Sequence, residues 1–416
     1  MVPALREAYN DAFTKEQYEA FLKDLDKRYP GAIEFRIAET PVFVPFSFGE
    51  QMKEVCEKII DFMLDPSFKS ITERSISPGD RVPDENDHCH FLVFDFGICN
   101  DGMGNLEPQL IEMQGFPSLY GFQAWYPDLL GNYLPLPAGY SQYLDGLDHT
   151  GYIELLKQVI LGDTPPENTI LLEINPHKQK TKIDFYCTRD YLGIQPVCLT
   201  ELILEGKDLF YIREGSGMKT PVKRIYNRII FDELNARKED IGPHIDIRQP
   251  LNVKWVTHPN WFYRVSKFTM PFIRHPFVPP TFFLNEITQI PYDLENYVLK
   301  PLFSFAGQGV IIDLTAEDLY KIKDPANWIL QKKVDYADCI LTPDKPAKAE
   351  IRIMYLWKEG DPRPRPAINL ARLSKGKMIG VRYNQDKEWV GGSVAFFERP
   401  QAGKTKAGPG RPVASR

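Results

Sequence analysis

The sequence predicts a fold that combines the α+β and α/β classes, and three observations lead there. Apolar residues recur at helical spacing in residues 5–66, whereas residues 90–115 alternate as strands do. From about 150 to 250, strand-like and helix-like segments follow one another. A chain with all three patterns builds sheets covered by helices, because each element must bury its apolar face against another.

Residues 1–70 are predicted to form a helical N-terminal segment. Two capping boxes, Thr14-x-x-Gln17 and Ser47-x-x-Glu50, indicate two helix starts. An apolar stripe follows the second start, at the spacing expected for one face of a helix. Its members are Met52, Val55, Ile59, Ile60 and Met63.

A polar, turn-rich loop comes next, from residue 72 to residue 87, and carries Arg74 and Arg81. Binding residues are common on such loops, because a rigid scaffold positions them at the surface. A solvated loop without a role explains the same composition, so both interpretations stay open.

Two strands are predicted at residues 90–97 and 109–115, joined by a glycine-containing hairpin. Alternation places Asp95 on one face of the first strand, and places Glu112 and Gln114 on a common face of the second. Oxygen donors on neighbouring strands can hold Mg²⁺ together with phosphate and water. An edge pair with solvated polar side chains is the alternative. Residues 71–148 as a whole are taken as one unit of strands and loops.

Residues 149–258 predict a small Rossmann-like domain. Residues 169–174 and 196–200 have the composition of buried strands, with a polar, helix-like connection between them, and residues 209–212 and 222–230 add strand-like runs. The region has no G-x-G-x-x-G motif, so nothing local indicates a dinucleotide.

The segment Val298–Asp313 has the clearest chemical content. Lys300 ends an apolar run and precedes a loop with Gly307 and Gly309, after which residues 310–312 are predicted to resume a buried strand. An ammonium group supplies charge for a polyphosphate, and glycine lets backbone N–H groups approach phosphate oxygens. A glycine hairpin beside an unrelated lysine explains this segment equally well when it is taken alone.

Residues 259–398 are taken as one domain, and residues 399–416 as a disordered tail, because the tail is poor in apolar side chains. Alternation in the second half of this domain places Glu350 and Arg352 on one face of a strand. The strands predicted there are residues 328–334, 350–357, 369–374 and 377–382.

Composition limits the classes of function. Hydrophobic content of 43% excludes general disorder, and a formal net charge of −6 without a basic stripe argues against nucleic acid as a partner. The 6 cysteines are scattered without a C-x-x-C pair, as in cytosolic proteins with reduced thiols. No apolar run approaches the length of a membrane span. We therefore expect a soluble cytoplasmic protein without membrane contact, and the oligomeric state stays open.

The order of these motifs resembles the ATP-grasp superfamily, specifically its circularly permuted branch related to glutathionylspermidine synthetase. The resemblance runs from about residue 70 to residue 395 and implies ATP and Mg²⁺ as cofactors. It makes residues 71–148 part of the ATP-grasp core, residues 149–258 the pre-ATP-grasp domain and residues 259–398 the nucleotide-binding domain. The residues that it implies for nucleotide binding are Lys267, Lys300, Ser304, Ala306, Gly307, Gln308, Gly309, Gln331, Lys332, Lys333 and Val334.

In the permuted branch the Mg²⁺ ligands precede the nucleotide domain, as an Asp strand and then a Glu-x-Asn strand. Asp95, Glu112 and Gln114 match those positions, with Gln114 in place of the asparagine. The chain departs from the family twice more: Lys332 stands where glutamate is usual in the hinge, and Asn369-Leu370 replaces the paired glycines of a Gly-Gly-x-x-Arg segment.

The resemblance implies an ADP-forming ligase that acts through an acyl-phosphate intermediate. An amine attacks this intermediate to give an amide or peptide bond. Lys300 and Arg372 would be its catalytic residues. For the carboxylate substrate the candidates are Arg74, Arg81 and Arg228, because arginine can bind a carboxylate through two parallel hydrogen bonds. A non-catalytic module that binds a nucleotide or a partner is the alternative, and phosphoryl transfer to another acceptor is a third interpretation.

Overall fold

The structure is a computed structural model, and it describes residues 1–303, 309–376, 379, 384 and 386–400. It is a mixed α+β fold with several sheets. Within the described residues the helices are α1 (Pro3–Ala12), α2 (Lys15–Arg28), α3 (Phe46–Met63), α4 (Phe68–Ile71), α5 (Phe122–Leu130), α6 (His149–Leu161), α7 (Lys182–Leu192), α8 (Phe231–Ala236), α9 (Lys238–Ile241), α10 (Asn260–Arg264) and α11 (Ala316–Lys321). None of them is both long and apolar enough to cross a membrane.

The largest sheet is antiparallel, with the strand order β17-β16-β15-β2-β3. Its strands are β2 (Phe91–Asn100), β3 (Leu106–Gln114), β15 (Lys348–Leu356), β16 (Arg365–Ser374) and β17 (Gly391–Ser393). The predicted strands at 90–97, 109–115, 350–357 and 369–374 are therefore confirmed. The register places Asp95 opposite Glu112 on one side and Arg352 on the other, so three charged residues form a row across the sheet.

Alternation along β2 separates two cores. Leu92 and Phe94 join the core that contains α3, whereas Phe91 and Val93 join the core that contains α6. Asp95 shares its face with Phe91 and Val93. The charged row therefore continues an apolar face that is already covered, which is why Asp95 and Arg352 are buried, while Glu112 is partly buried.

A smaller antiparallel sheet has the order β12-β14-β13, formed by Thr281–Phe283, Trp328–Lys332 and Tyr297–Pro301. The predicted strand at 310–312 is wrong. Ile311 pairs with Leu299 of β13 in one isolated bridge, through backbone hydrogen bonds of 3.0 and 2.9 Å, and residues 310 and 312 do not extend it into a ladder.

A third sheet is parallel, with the order β11-β10-β5-β6, formed by Lys254–Val256, Arg224–Asn227, Thr169–Glu173 and Gln195–Cys198. Helix α7 connects β5 to β6, as the sequence predicts. From β5 the chain continues to β6 on one side of the sheet, and from β10 it continues to β11 on the other side. A crevice is therefore expected at the carboxyl ends of β5 and β10, where the two connections diverge.

One run predicted in this region divides into two strands. Residues 222–230 contribute to β9 (Lys219–Val222) and β10, and these belong to different sheets. The other members of the β9 sheet are β7 (Ile203–Glu205) and β8 (Asp208–Ile212), in the order β7-β8-β9.

The N-terminal segment contains four helices, α1 to α4, but residues 29–45 between α2 and α3 are not helical. Thr14 caps α2 as predicted, since its Oγ1 accepts a hydrogen bond from the Gln17 amide at 3.2 Å. The second capping box is wrong: α3 begins at Phe46 after Pro45, so Ser47 lies inside the helix and caps nothing. The apolar stripe of α3 is buried, as expected.

The N-terminal segment also contains a strand that the sequence did not predict. Strand β1 (Val42–Val44) pairs in parallel with β18 (Ala395–Glu398), and β4 (Tyr140–Ser141) pairs on the other side of β18. Three residues are too few to display a period, and the partner lies at the other end of the chain. Most of the strand predicted at 377–382 and nearly all of the predicted tail fall outside the described residues.

Gly115 allows β3 to approach the segment that carries Lys267. Its amide donates to Val265 O at 2.8 Å, and a Cβ at this position would lie 2.8 Å from Trp261 O and 2.9 Å from Val265 Cβ. We expect Gly115→Ala to lower the free energy of unfolding by about 2 kcal/mol, because the two segments must move apart. Urea unfolding measures the loss.

The matched control is Gly79→Ala. Nothing lies within 4 Å of the Cβ that this change adds. Its free energy of unfolding should stay close to that of the original protein, and equal losses in the two variants would contradict the close-approach argument.

Candidate functional site

Two buried lysines face β3 from different elements. Lys300 is the penultimate residue of β13, and Lys267 begins a 3₁₀ helix, Lys267–Phe272. Lys300 Nζ donates to Gln331 Oε1 at 2.5 Å and to Ile111 O at 3.3 Å. A cavity of about 20 Å³ lies beside Lys267. Its lining includes Glu112, Gln114, Phe262, Ser266, Lys267 and Leu302.

Burial sets the electrostatics of these lysines. It lowers the pKa of Lys300 to about 8, although attraction to Glu112 acts in the opposite direction. Burial likewise lowers the pKa of Lys267, again against the attraction of Glu112. A phosphate oxygen placed beside Lys300 would stabilise its charged form, so the site favours an anion with several oxygens.

A second group of charges lies on the neighbouring strands. Arg352 binds Asp95 through two hydrogen bonds, from Nε to Oδ1 and from Nη2 to Oδ2, both 2.6 Å long. Arg372 Nη2 lies 3.0 Å from Asp95 Oδ2 and 3.0 Å from Glu350 Oε2. Tyr336 donates its hydroxyl hydrogen to Glu350. The predicted phosphate ligand Arg372 is thus anchored by two carboxylates.

The pKa values in this group follow from burial and pairing. Burial alone would raise the pKa of Asp95, but attraction to Arg352 and then to Arg372 outweighs it and lowers the pKa to about 2. Burial raises the pKa of Glu350, with Arg372 acting against the rise. Asp95 is therefore an anion throughout the neutral range.

The Mg²⁺ ligands implied by the resemblance lie together but are not equally available. Gln114 Nε2 donates to Glu112 Oε1 at 3.2 Å, so these two side chains are adjacent. Both oxygens of Asp95 already accept from arginine, and a cation there would have to displace one of them. No three His, Cys, Asp or Glu side chains of the described chain converge as a metal site.

Protein-bound Mg²⁺ often takes only one or two protein carboxylates, because substrate phosphates and water complete its shell. Glu112 and Gln114 fit that requirement if a nucleotide supplies further oxygens. The role of Asp95 as a ligand stays a prediction.

The resemblance also implies that residues 330–334 form a hinge that holds adenine by backbone hydrogen bonds, and this segment is partly engaged. The Lys332 amide donates to Pro280 O at 2.9 Å, and the Lys333 amide donates to Asn296 O at 2.7 Å. A purine base would therefore use the remaining backbone groups of the segment. Of the predicted loop, Ser304, Ala306, Gly307 and Gln308 lie outside the described residues, whereas Gly309 is described and has a φ of +72°.

The three arginines predicted to bind a carboxylate have separate surroundings. Arg74 lies over the ring of Phe283, 4.1 Å from its centroid, with Glu286 at 3.6 Å. Arg81 is half exposed and pairs with Glu73. A substrate that reaches either one must compete with a carboxylate of the protein.

Arg228 differs, because it is buried at the carboxyl end of β10. Its Nη1 donates to Pro117 O and lies 4.0 Å from Asp184 Oδ2. Its Nε has no hydrogen-bond partner among the described residues. Of the three candidates, Arg228 alone is buried, and it directly follows β10, beside the place where the topology predicts a crevice.

Two carboxyl groups near Arg228 were not predicted as site residues from the sequence. Asp184 accepts from the amides of Gly121 and Phe122, at 2.7 and 3.0 Å. Glu173 ends β5 and is only 5% exposed. The position of Glu173 at the end of an apolar strand could have indicated a buried carboxyl group. Asp184 lies in a helix, and nothing in the sequence around it indicates burial.

Glu173 provides a pH test of this region. Burial raises its pKa from 4.5 to about 8, although Arg228 acts against the rise. Because the pKa is higher in the folded state, the stability that Glu173 contributes is present below pH 4.5 and is lost as the pH rises towards 8. We expect Glu173→Gln to melt at a higher temperature than the original protein at pH 8.

The difference in melting temperature should vanish near pH 4.5, where both side chains are neutral. Glu201→Gln is the control, since Glu201 is exposed. A constant difference between Glu173→Gln and the original protein across this range would contradict the raised pKa.

The comparisons with known proteins bear on the fold alone. No protein-family model matches the sequence, and no curated protein matches it. A solved structure of a glutathione synthetase-like effector from Globodera pallida, in its apo form, matches with a TM-score of 0.56 at 11% identity, covering 94% of this chain and 99% of that chain. The chain thus shares its overall architecture with a glutathione synthetase-like structure, which is compatible with the predicted ATP-grasp fold.

Proposed function

We propose that the protein is an ATP- and Mg²⁺-dependent, ADP-forming ligase that joins a carboxylate to an amine. The observation that carries the proposal is the position of Lys300, buried beside Lys267, Glu112 and Gln114. Keeping an ammonium group buried disfavours its charge, and phosphate oxygens would offset that cost. The fold shared with a glutathione synthetase-like structure agrees with this class of reaction.

We assign the residues of the site to phosphate or to Mg²⁺ according to their charge. ATP and Mg²⁺, when bound, would supply the activating phosphoryl group and neutralise its charge. Lys267 and Lys300 would bind phosphate oxygens, and Glu112 with Gln114 would hold the cation. Arg372 Nε has no hydrogen-bond partner among the described residues, so this guanidinium can serve a phosphate while Asp95 and Glu350 hold it in place.

The carboxylate substrate is assigned to Arg228. Its buried guanidinium retains the unpaired Nε, and a carboxylate there would gain a charge-assisted hydrogen bond. Arg74 and Arg81 stay predictions for a longer substrate that reaches the surface loop.

The proposal is tested by an ADP-release assay with ATP, Mg²⁺ and a panel of acids and amines. Turnover that requires one acid and one amine, with an amide as product, is the expected result. A phosphate ester as product would instead indicate phosphoryl transfer to another acceptor. No ADP release with any pair, together with no thermal stabilisation by ATP and Mg²⁺, would overturn the proposal.

A non-catalytic nucleotide-binding protein is the second candidate, and the Asp95–Arg352 pair favours it. An arginine on both oxygens of Asp95 occupies the position that the resemblance gives to a metal ligand. This candidate predicts saturable ATP binding without ADP formation across the panel. Calorimetric titration establishes ATP binding, which both candidates require, and the absence of ADP release across the panel then distinguishes this candidate from the ligase.

A further inference from the structure

A row of buried polar side chains crosses the small sheet that carries Lys300. Thr281 of β12 lies directly opposite Gln331 of β14, and Lys300 of β13 lies diagonally opposite Gln331 on the other side. Thr281, Gln331 and Lys300 are only 1, 3 and 8% exposed. Buried polar groups need hydrogen-bond partners, so the bonds within this row determine how its members are oriented.

The hydroxyl of Thr281 fixes the orientation of the Gln331 amide. Thr281 Oγ1 donates its one hydrogen to Pro279 O at 2.9 Å. The hydroxyl can therefore only accept from Gln331, and Gln331 Nε2 donates to it at 3.2 Å. This bond leaves Gln331 Oε1 on the side of Lys300. In the reverse orientation Oε1 would face the lone pairs of the hydroxyl, and Nε2 would face the ammonium group, which also only donates.

The oriented amide in turn holds the ammonium group of Lys300. Lys300 Nζ donates to Gln331 Oε1 at 2.5 Å and to Ile111 O at 3.3 Å. The protein thus directs two of the three ammonium hydrogens, and this sets the direction of the third. A donor that is already oriented stabilises developing charge without reorganisation during the reaction.

We propose that Thr281 is a positioning residue for Lys300 and acts through the side-chain amide of Gln331. Its effect on the reaction rests on the proposed ligase function, in which Lys300 binds phosphate oxygens of ATP. The hinge implied by the resemblance uses only the backbone of Gln331, so the side chain of this residue gains a separate role.

The first test is Thr281→Val, which removes the hydroxyl and keeps the shape of the side chain. The Gln331 amide loses its fixed orientation, and kcat/KM for ATP should fall about tenfold, because a small misplacement of a charged donor is costly. Thr281→Ser keeps the hydroxyl and should restore most of the rate. If Thr281→Val does not fold, Thr281→Ala removes the same hydroxyl and takes its place in each comparison.

The matched control is Thr169→Val. Thr169 also begins a strand, is fully buried and donates to a proline carbonyl, Pro165 O, at 3.4 Å. It belongs to the parallel sheet and not to the sheet of Lys300. The kcat/KM for ATP should therefore be the same in Thr169→Val as in the original protein.

A double variant tests whether Thr281 acts through Gln331. Gln331→Met removes the amide, so Thr281 has nothing left to orient. Adding Thr281→Val to Gln331→Met should cause no further loss of kcat/KM, whereas a purely structural role of Thr281 would add its own loss. Additive losses, or a full rate in Thr281→Val, would overturn the proposal.

NMR of isotope-labelled glutamine side chains gives a readout that does not depend on turnover. The Gln331 signal is identified by its loss in Gln331→Met. The amide proton donated to Thr281 should resonate downfield in the original protein and in Thr281→Ser, and should move upfield in Thr281→Val. If the original protein releases no ADP, the ligase proposal fails, and this signal alone decides whether Thr281 orients Gln331. A signal that is unchanged in Thr281→Val would overturn the inference.

Discussion

Replacing Lys300 with methionine should reduce acid- and amine-dependent ADP release by about a thousandfold, since a single positioned donor to developing charge is worth 10²–10³ in rate. Methionine keeps the length and the apolar stem of the side chain but removes the ammonium group. ADP release measured with the acid and amine that support turnover gives the rate loss.

The same variant should stay folded. Gln331 Oε1 loses its donor, which costs about 1 kcal/mol. Against this, a buried ammonium whose pKa lies near 8 is removed, so the desolvation cost of that charge disappears. Thermal melting separates a lost reaction from a lost fold.

The matched control for Lys300→Met is Lys321→Met. Lys321 is 63% exposed and belongs to α11, where it pairs with Glu317. Its loss removes one charge without touching the cavity, so ADP release should be unchanged. Full turnover in Lys300→Met would remove the basis of the ligase proposal.

Replacing Arg352 with methionine should lower the free energy of unfolding by about 3 kcal/mol. Asp95 is 1% exposed, and it would keep only Arg372 as a partner. The loss should be present at neutral pH and shrink as the pH falls towards about 2, where Asp95 becomes protonated in the original protein. Urea unfolding at several pH values measures it.

Two further variants establish the cause. Arg363→Met breaks pairs with Glu57 and Asp61 at the surface, where Arg363 is 37% exposed, and should cost less than about 1 kcal/mol. Asp95→Asn combined with Arg352→Met should be more stable than Arg352→Met alone, because no buried carboxylate is left with too few partners. Equal losses for Arg352→Met and Arg363→Met would show that burial does not strengthen the Asp95 pair.

The Arg352 variant also tests whether Asp95 joins Glu112 and Gln114 as a Mg²⁺ ligand. If Asp95 binds the cation when the nucleotide binds, its pair with Arg352 must loosen, whereas a cation held by Glu112 and Gln114 alone leaves the pair intact. Melting of Arg352→Met with ATP and Mg²⁺ measures the difference: a larger stabilisation than in the original protein favours release of Asp95 to the cation.

The two predictions that failed have different causes. Ser47 and Glu50 have the spacing of a capping box, but Pro45 precedes the helix and places its first residue at Phe46, which is a local effect. Residues 310–312 have strand-like side chains, yet only Ile311 pairs with β13, and a strand needs consecutive pairs along its length.

The amino-acid sequence was sufficient for the mixed fold, most strands of the main sheet and the faces that carry Asp95, Glu112 and Glu350, because side-chain alternation is local. It could not reveal that Arg352 holds Asp95 from 257 residues away. Alternation gives the face of a strand but never its neighbour, since strand order and register follow from packing of the whole chain. The pairing of Arg352 and the burial of Glu173 therefore emerged only from the folded protein.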